Sequence, residues 1–180
     1  MSPHRRDGRR VMTRVIVAAI FLAAIVAANY ATSHYGLIPV GFGLVATAGT
    51  FFAGLTFVLR DLVHDLTGRW FVVVLIAVGA GLSVALSAPF IALASGVTFL
   101  VSELADLCVY VPLRRHGYIR AAVASNIVGA FLDTLLFLSI AGFPVWASVP
   151  GQMLAKLSVT AAVVALVWGA RAVLCEPVRT

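Results

Sequence analysis

The sequence predicts an all-α integral membrane protein: a bundle of six transmembrane helices with both termini in the cytoplasm. Three observations lead there. The chain is 62% hydrophobic and 11% charged, with a mean hydropathy of +1.05, whereas ordinary globular chains carry about 25% charged residues. About six segments approach the length that crosses a hydrocarbon core as a helix, which is roughly 20 residues for a core of about 30 Å. Lys and Arg then fall at alternate ends of those segments.

Taken in order, the first helix is predicted from Arg14 to Tyr30, behind a basic start of Arg5, Arg6, Arg9 and Arg10. That clustering, within a net charge of +6, fits a cytoplasmic N-terminus better than an arm for nucleic acid, and no nucleic-acid partner is expected. A cleaved leader would share the basic start, but no clear cleavage site follows the apolar run, so the helix is read as retained. A loop over 32–36 (TSHYG) carries no Lys or Arg. The second helix is predicted from Val40 to Leu66, closed by Arg69, and the third from Trp70 to Ser87. Pro89 starts the fourth, which ends at Pro112 before Arg114 and Arg115. The fifth spans Tyr118 to Ala141 and the sixth Val149 to Ala172, followed by Arg179. This leaves a basic tail over 1–13, a membrane domain over 14–172 and a tail over 173–180.

Cys108 and Cys175 belong to no Cys/His cluster, so both read as small apolar fillers, and no metal or cofactor is expected. Small residues such as Ala46 with Gly49, Ala53 with Gly54, and Ala122 with Gly129 read as places where backbones pack closely. The second and fourth helices share a design, an apolar run ending in paired acids and then Arg, too weakly matched to establish a duplication.

Five of the seven acids, Asp61, Asp65, Glu103, Asp106 and Asp133, lie within or at the edge of predicted helices. An acid at the bilayer centre costs about 2.5–3.5 kcal/mol on insertion scales and persists mainly where it faces a polar interior. Counted from Arg120, Asp133 lies about 20 Å along its helix, and Glu103 lies about 16 Å from Arg114. Both therefore reach mid-membrane, where they can meet. Asn126 and Asp133 share one face, with Gly129 between them. Arg60, His64 and Asp65 read as a gate or as interfacial ion pairs. Lys156, the only lysine, can snorkel outward or lean into the acids, and the second is favoured. Such a cluster can bind a cation, relay protons or accept hydrogen bonds from a ligand rich in N–H donors. A guanine-like ring fits the last, with a carboxylate taking two parallel hydrogen bonds and Tyr30, Phe57, Tyr110 or Phe137 offering flat faces.

Three segments carry a resemblance: TFVLRDLVHDLTG (56–68), FLVSELADLCVY (99–110) and ASNIVGAFLDTLLF (124–137). In them the chain resembles the queuosine precursor transporters, also called the vitamin uptake transporter family. The resemblance implies a six-helix inner-membrane importer of 7-deazaguanines such as 7-cyano-7-deazaguanine. It puts Asp61, Asp106 and Asp133 at the family's helix acids and keeps Lys156. Asp65 stands where Glu is expected, and Glu103 where Gln is common; that exchange favours a donor-rich or cationic ligand such as the aminomethyl form. The expected ligand set is Glu103, Asp133, Asn126, Asp106, Asp61 and Lys156, the partners being the deazapurine substrate and the lipid bilayer, with a homo-oligomer left open. Two rivals remain: a substrate-capture subunit of an ATP-driven importer, and a proton or cation conductor. An enzyme is not expected, since the chain carries no His-rich metal spacing, nucleophile elbow or phosphate loop.

Overall fold

The computed structural model describes residues 3–116 and 118–174. Cys175 and Arg179, expected as a filler and a cytoplasmic charge, lie outside the described residues. The described residues form six α-helices, one β-hairpin and a short 3-10 turn over Arg114–His116: α1 Pro3–Tyr35, β1 Leu37–Gly41, β2 Leu44–Thr47, α2 Thr50–Thr67, α3 Arg69–Leu86, α4 Pro89–Leu113, α5 Tyr118–Ile140 and α6 Val145–Leu174. The tail expected over 1–13 is thus helical from Pro3 onward.

The largest departure from the sequence reading lies between Tyr35 and Thr50. The loop expected over 32–36 is helical to Tyr35, and the second helix, expected from Val40, starts at Thr50. Between them β1 and β2 pair antiparallel, from Leu37 opposite Thr47 to Gly41 opposite Leu44. The two turn residues, Phe42 and Gly43, have φ of +54° and +72°, the left-handed pair that a two-residue hairpin turn requires. Gly36, also at positive φ, ends α1 and accepts a 2.8 Å hydrogen bond from the Ala48 N–H, which closes the hairpin at its base. Non-helical backbone survives at membrane depth where protein covers it, and β2 packs on α6.

The other helices fall within four residues of expectation. Gly68 at φ +90° breaks α2 from α3, extended Ser87 ends α3, and Pro89 opens α4 where its missing N–H loses nothing. Most of the contact joins α4 to α5, α1 to α2 and α3, and α2 to α6. Two glycines set these approaches. A Cβ on Gly49 would stand 2.1 Å from the Ala28 carbonyl oxygen, and one on Gly151 2.1 Å from that of Val45. The dry core lies where α1 to α4 meet, around Phe21, Ile25, Val63, Val72, Ile76 and Phe99.

Polarity is distributed as an apolar solvent demands. Leu93, Leu104 and Val111 of α4 and Val74 of α3 are exposed, while Asn29, Gln152, Lys156 and Asp133 are buried. Cys108 is exposed rather than a filler. Among the described residues, three segments are long and apolar enough to cross a membrane, Val11–Tyr35, Pro89–Leu113 and Val123–Ile140, and Trp70–Leu86 is a shorter apolar helix.

Candidate functional site

Two buried charge centres occupy the interior, both within reach of the Phe57 ring. In the first, Arg60 of α2 is only 6% exposed. Its guanidinium donates to Glu103 Oε2 of α4 at 2.6 Å, to Asp61 Oδ1 at 2.7 and 3.0 Å, and to Asn126 Oδ1 of α5 at 3.4 Å. Asp61 faces outward while Glu103 is largely covered. A buried arginine needs such an arrangement, because its fork of donors left unpaired in low dielectric would be costly. Asp106 lies beside this centre, buried, on the α4 face where Gly129 of α5 leaves room for it. Its Oδ1 has no hydrogen-bond partner among the described residues.

In the second centre, Lys156 of α6 donates to Asp133 Oδ2 and, at 2.8 Å, to Thr134 Oγ1, both on α5. The lysine leans inward, as favoured from the sequence. The Arg60 guanidinium carbon and the Lys156 ammonium stand 5.6 and 5.8 Å from the Phe57 ring centroid, within cation–π reach. Phe57 stacks on Phe99 at 6.1 Å, and Phe99 meets Phe21 edge-on at 6.3 Å. This aromatic layer continues into the dry core.

Beside this layer, and bordered by it, lies a cavity lined by residues of α1, β2 and all five later helices. Asp133 and Lys156 are its charged residues, and Phe57, Phe99 and Phe137 give it flat apolar walls. Of the expected ligand set, only these two charged residues line it. Glu103, Asp61 and Asn126 are gathered around Arg60 instead, and Asp106 stands next to them. Glu103 and Asp133 do not pair: each has its own cation. His64 and Asp65, 3.8 Å apart, have exposed side chains and line neither the cavity nor the Arg60 centre. Among the expected stacking residues, Phe57 and Phe137 border the cavity, whereas Tyr30 is exposed and stacks on His34; Tyr110 is not a lining residue.

Sequence reasoning missed the neutral polar lining: Asn29 of α1, Thr47 of β2, Thr50 of α2 and Gln152 of α6. Gln152 donates to Thr47 Oγ1 at 3.1 Å, and Asn29 to Ser83 Oγ of α3 at 3.0 Å. An amide inside an otherwise apolar run was the available signal.

A model of the family described as "Putative vitamin uptake transporter" matches residues 82–170. That stretch runs from the end of α3 through α6 and contains Glu103, Asp106, Asn126, Asp133, Gln152 and Lys156. No curated protein and no solved structure matches the chain. Several helices apolar enough to cross a membrane agree with a transporter, and the chain is a multi-pass membrane protein. Over residues 82–170 the chain is similar to the vitamin uptake transporter family.

Proposed function

We propose that the chain is an inner-membrane importer of a queuosine precursor, a 7-deazaguanine, working by alternating access with six membrane spans and both termini in the cytoplasm. The observation that carries this reading is the cavity walled by Phe57 and Phe137 and holding the Asp133–Lys156 pair. A deazaguanine presents a ring N–H beside an exocyclic amine, two parallel donors suited to a carboxylate with about four lone-pair sites. Its ring carbonyl suits the one remaining ammonium proton of Lys156, and its faces suit the Phe rings. No covalent step is required.

Charge narrows the ligand. Asp133 and Lys156 neutralise each other, and Glu103, which would favour a cation were it in the cavity, is bound to Arg60. A charge-neutral site favours the uncharged nitrile over the aminomethyl form, the reverse of what Glu103 implies in the sequence alone. Cells unable to make the precursor, supplied with limiting 7-cyano-7-deazaguanine, are expected to gain queuosine-modified tRNA when they express this chain. No gain over cells lacking it would refute the reading.

A further inference from the structure

We infer that the side-chain carbonyls of Asn29 and Gln152 are two further substrate contacts, which make the cavity selective for a planar ring with N–H donors on more than one edge. Both residues line the cavity, yet they are 2% and 1% exposed. Each amide has one N–H fixed on a hydroxyl: Asn29 on Ser83 Oγ and Gln152 on Thr47 Oγ1. The orientation of Asn29 is determined, because Ser83 gives its own proton to the Gly79 carbonyl at 2.8 Å and can only accept from the amide. Thr47 in turn shares a hydrogen bond with Thr50 at 2.9 Å, so it too is engaged within the wall.

The Asn29 carbonyl is therefore turned away from its hydroxyl, the Gln152 carbonyl is turned away with Nε2 placed on Thr47, and neither has a hydrogen-bond partner among the described residues. Nor are they sealed in. The side-chain atoms that are both shut off and unpartnered among the described residues are Thr98 Oγ1, Asp106 Oδ1 and Ser148 Oγ. The open space that Asn29 and Gln152 border is the cavity. A buried acceptor left unmade is costly, and a ligand N–H removes that cost for each carbonyl. Together with the Asp133 carboxylate they give the cavity three acceptor groups on three helices, α1, α5 and α6. An amino-purine-like ring supplies matching donors at its N–H edge, its exocyclic amine and its five-membered ring. A ring without the exocyclic amine leaves one acceptor empty.

This assignment rests on the deazaguanine reading, and one set of measurements separates the two. Purified protein is titrated with 7-cyano-7-deazaguanine and with 7-deazahypoxanthine, which lacks the amine, following thermal stabilisation. The wild type is expected to bind the first at least tenfold more tightly. Asn29→Leu and Gln152→Met, of similar volume but without the acceptor, are each expected to weaken binding of 7-cyano-7-deazaguanine by about ten- to a hundredfold. Where either fails to give a cooperative melt without ligand, Asn29→Ser or Gln152→Asn, which withdraw the acceptor yet keep a polar wall, takes its place with the same expected loss. If the wild type is stabilised by neither ring, both the substrate reading and this assignment are overturned. If it is stabilised but the variants bind as the wild type does, or 7-deazahypoxanthine binds equally well, the assignment of the two carbonyls alone is overturned.

Discussion

Asp133 and Lys156 show how much a single buried partner matters. Lys156 is 2% exposed, and its ammonium is matched by one carboxylate and one hydroxyl. Removing the carboxylate strands a cation in low dielectric, which in buried pairs costs about 3–5 kcal/mol, whereas replacing both members with apolar residues of similar volume is often neutral. Asp133→Asn is therefore expected to lower the melting temperature of the detergent-solubilised protein sharply, and Asp133→Leu with Lys156→Met to recover most of that loss while abolishing uptake. Equal melting of the single and double variants would show that the pair is not desolvated. The acids of such centres were legible in the sequence because a charge stands out in an apolar run. Their pairing was not. Rise per residue gives height along a helix but not which neighbour stands opposite, so Glu103 and Asp133 were matched by depth while Arg60, 6% exposed, holds Glu103. The amides were passed over because an uncharged side chain disturbs hydropathy little, although Asn29 and Gln152 are better buried than Asp106.

At the level of elements, the breaks that rest on Pro or on a single Gly were readable: Gly68 between α2 and α3, Pro89 at the head of α4. The hairpin was not, because Gly49 with Ala46 read equally well as small residues for helix packing and the predicted helix ran through Gly41 and Gly43. In the structure they divide the work. Gly41 and Gly43 supply positive φ with open space around them, while Gly49 lets α2 approach α1, its N–H donating to Thr32 Oγ1 at 3.1 Å. Gly151 does the same for α6 against β2. These two contacts hold the walls that carry Thr47, Thr50 and Gln152 around the cavity. Gly49→Ala and Gly151→Ala are thus expected to cost at least about 1–3 kcal/mol, the usual range for overpacking, and to reduce ligand-dependent stabilisation as well. Gly81→Ala on α3, whose added Cβ meets nothing within 4 Å, is the control. Its melting temperature should be unchanged or higher, since alanine favours a helix by about 1 kcal/mol over glycine. Equal behaviour of all three would mean that the close approaches do not govern the walls.

For the whole molecule, the question that packing raises is whether α2 and α3 complete the crossing. Each has 18 residues, about 27 Å at 1.5 Å per residue, a few Å short of a typical core of about 30 Å. The hairpin precedes α2, with β2 covered by α6. The positive-inside rule puts Arg69, in the connection between these helices, on the same face as Arg115. Labelling the termini would not decide the matter, because a chain in which neither helix crosses keeps the same parity at every later loop. The α2–α3 connection alone differs. Asp65, with a side chain 83% exposed, reports on it, and Phe42, 94% exposed at the hairpin tip, reports on the opposite face. In a chain whose two cysteines are replaced by serine, Phe42→Cys is expected to react with a membrane-impermeant maleimide on intact cells. Asp65→Cys should react only after permeabilisation. Labelling of Asp65→Cys on intact cells would leave α2 and α3 on the outer face and reduce the spans to four. The Arg60 centre would then face away from the cytoplasm, and a path from the cavity through the bundle would have to avoid it. Protection of Asp65→Cys instead puts the Arg60 centre nearer the cytoplasm than the cavity, the order in which a substrate entering from the hairpin side would meet the two.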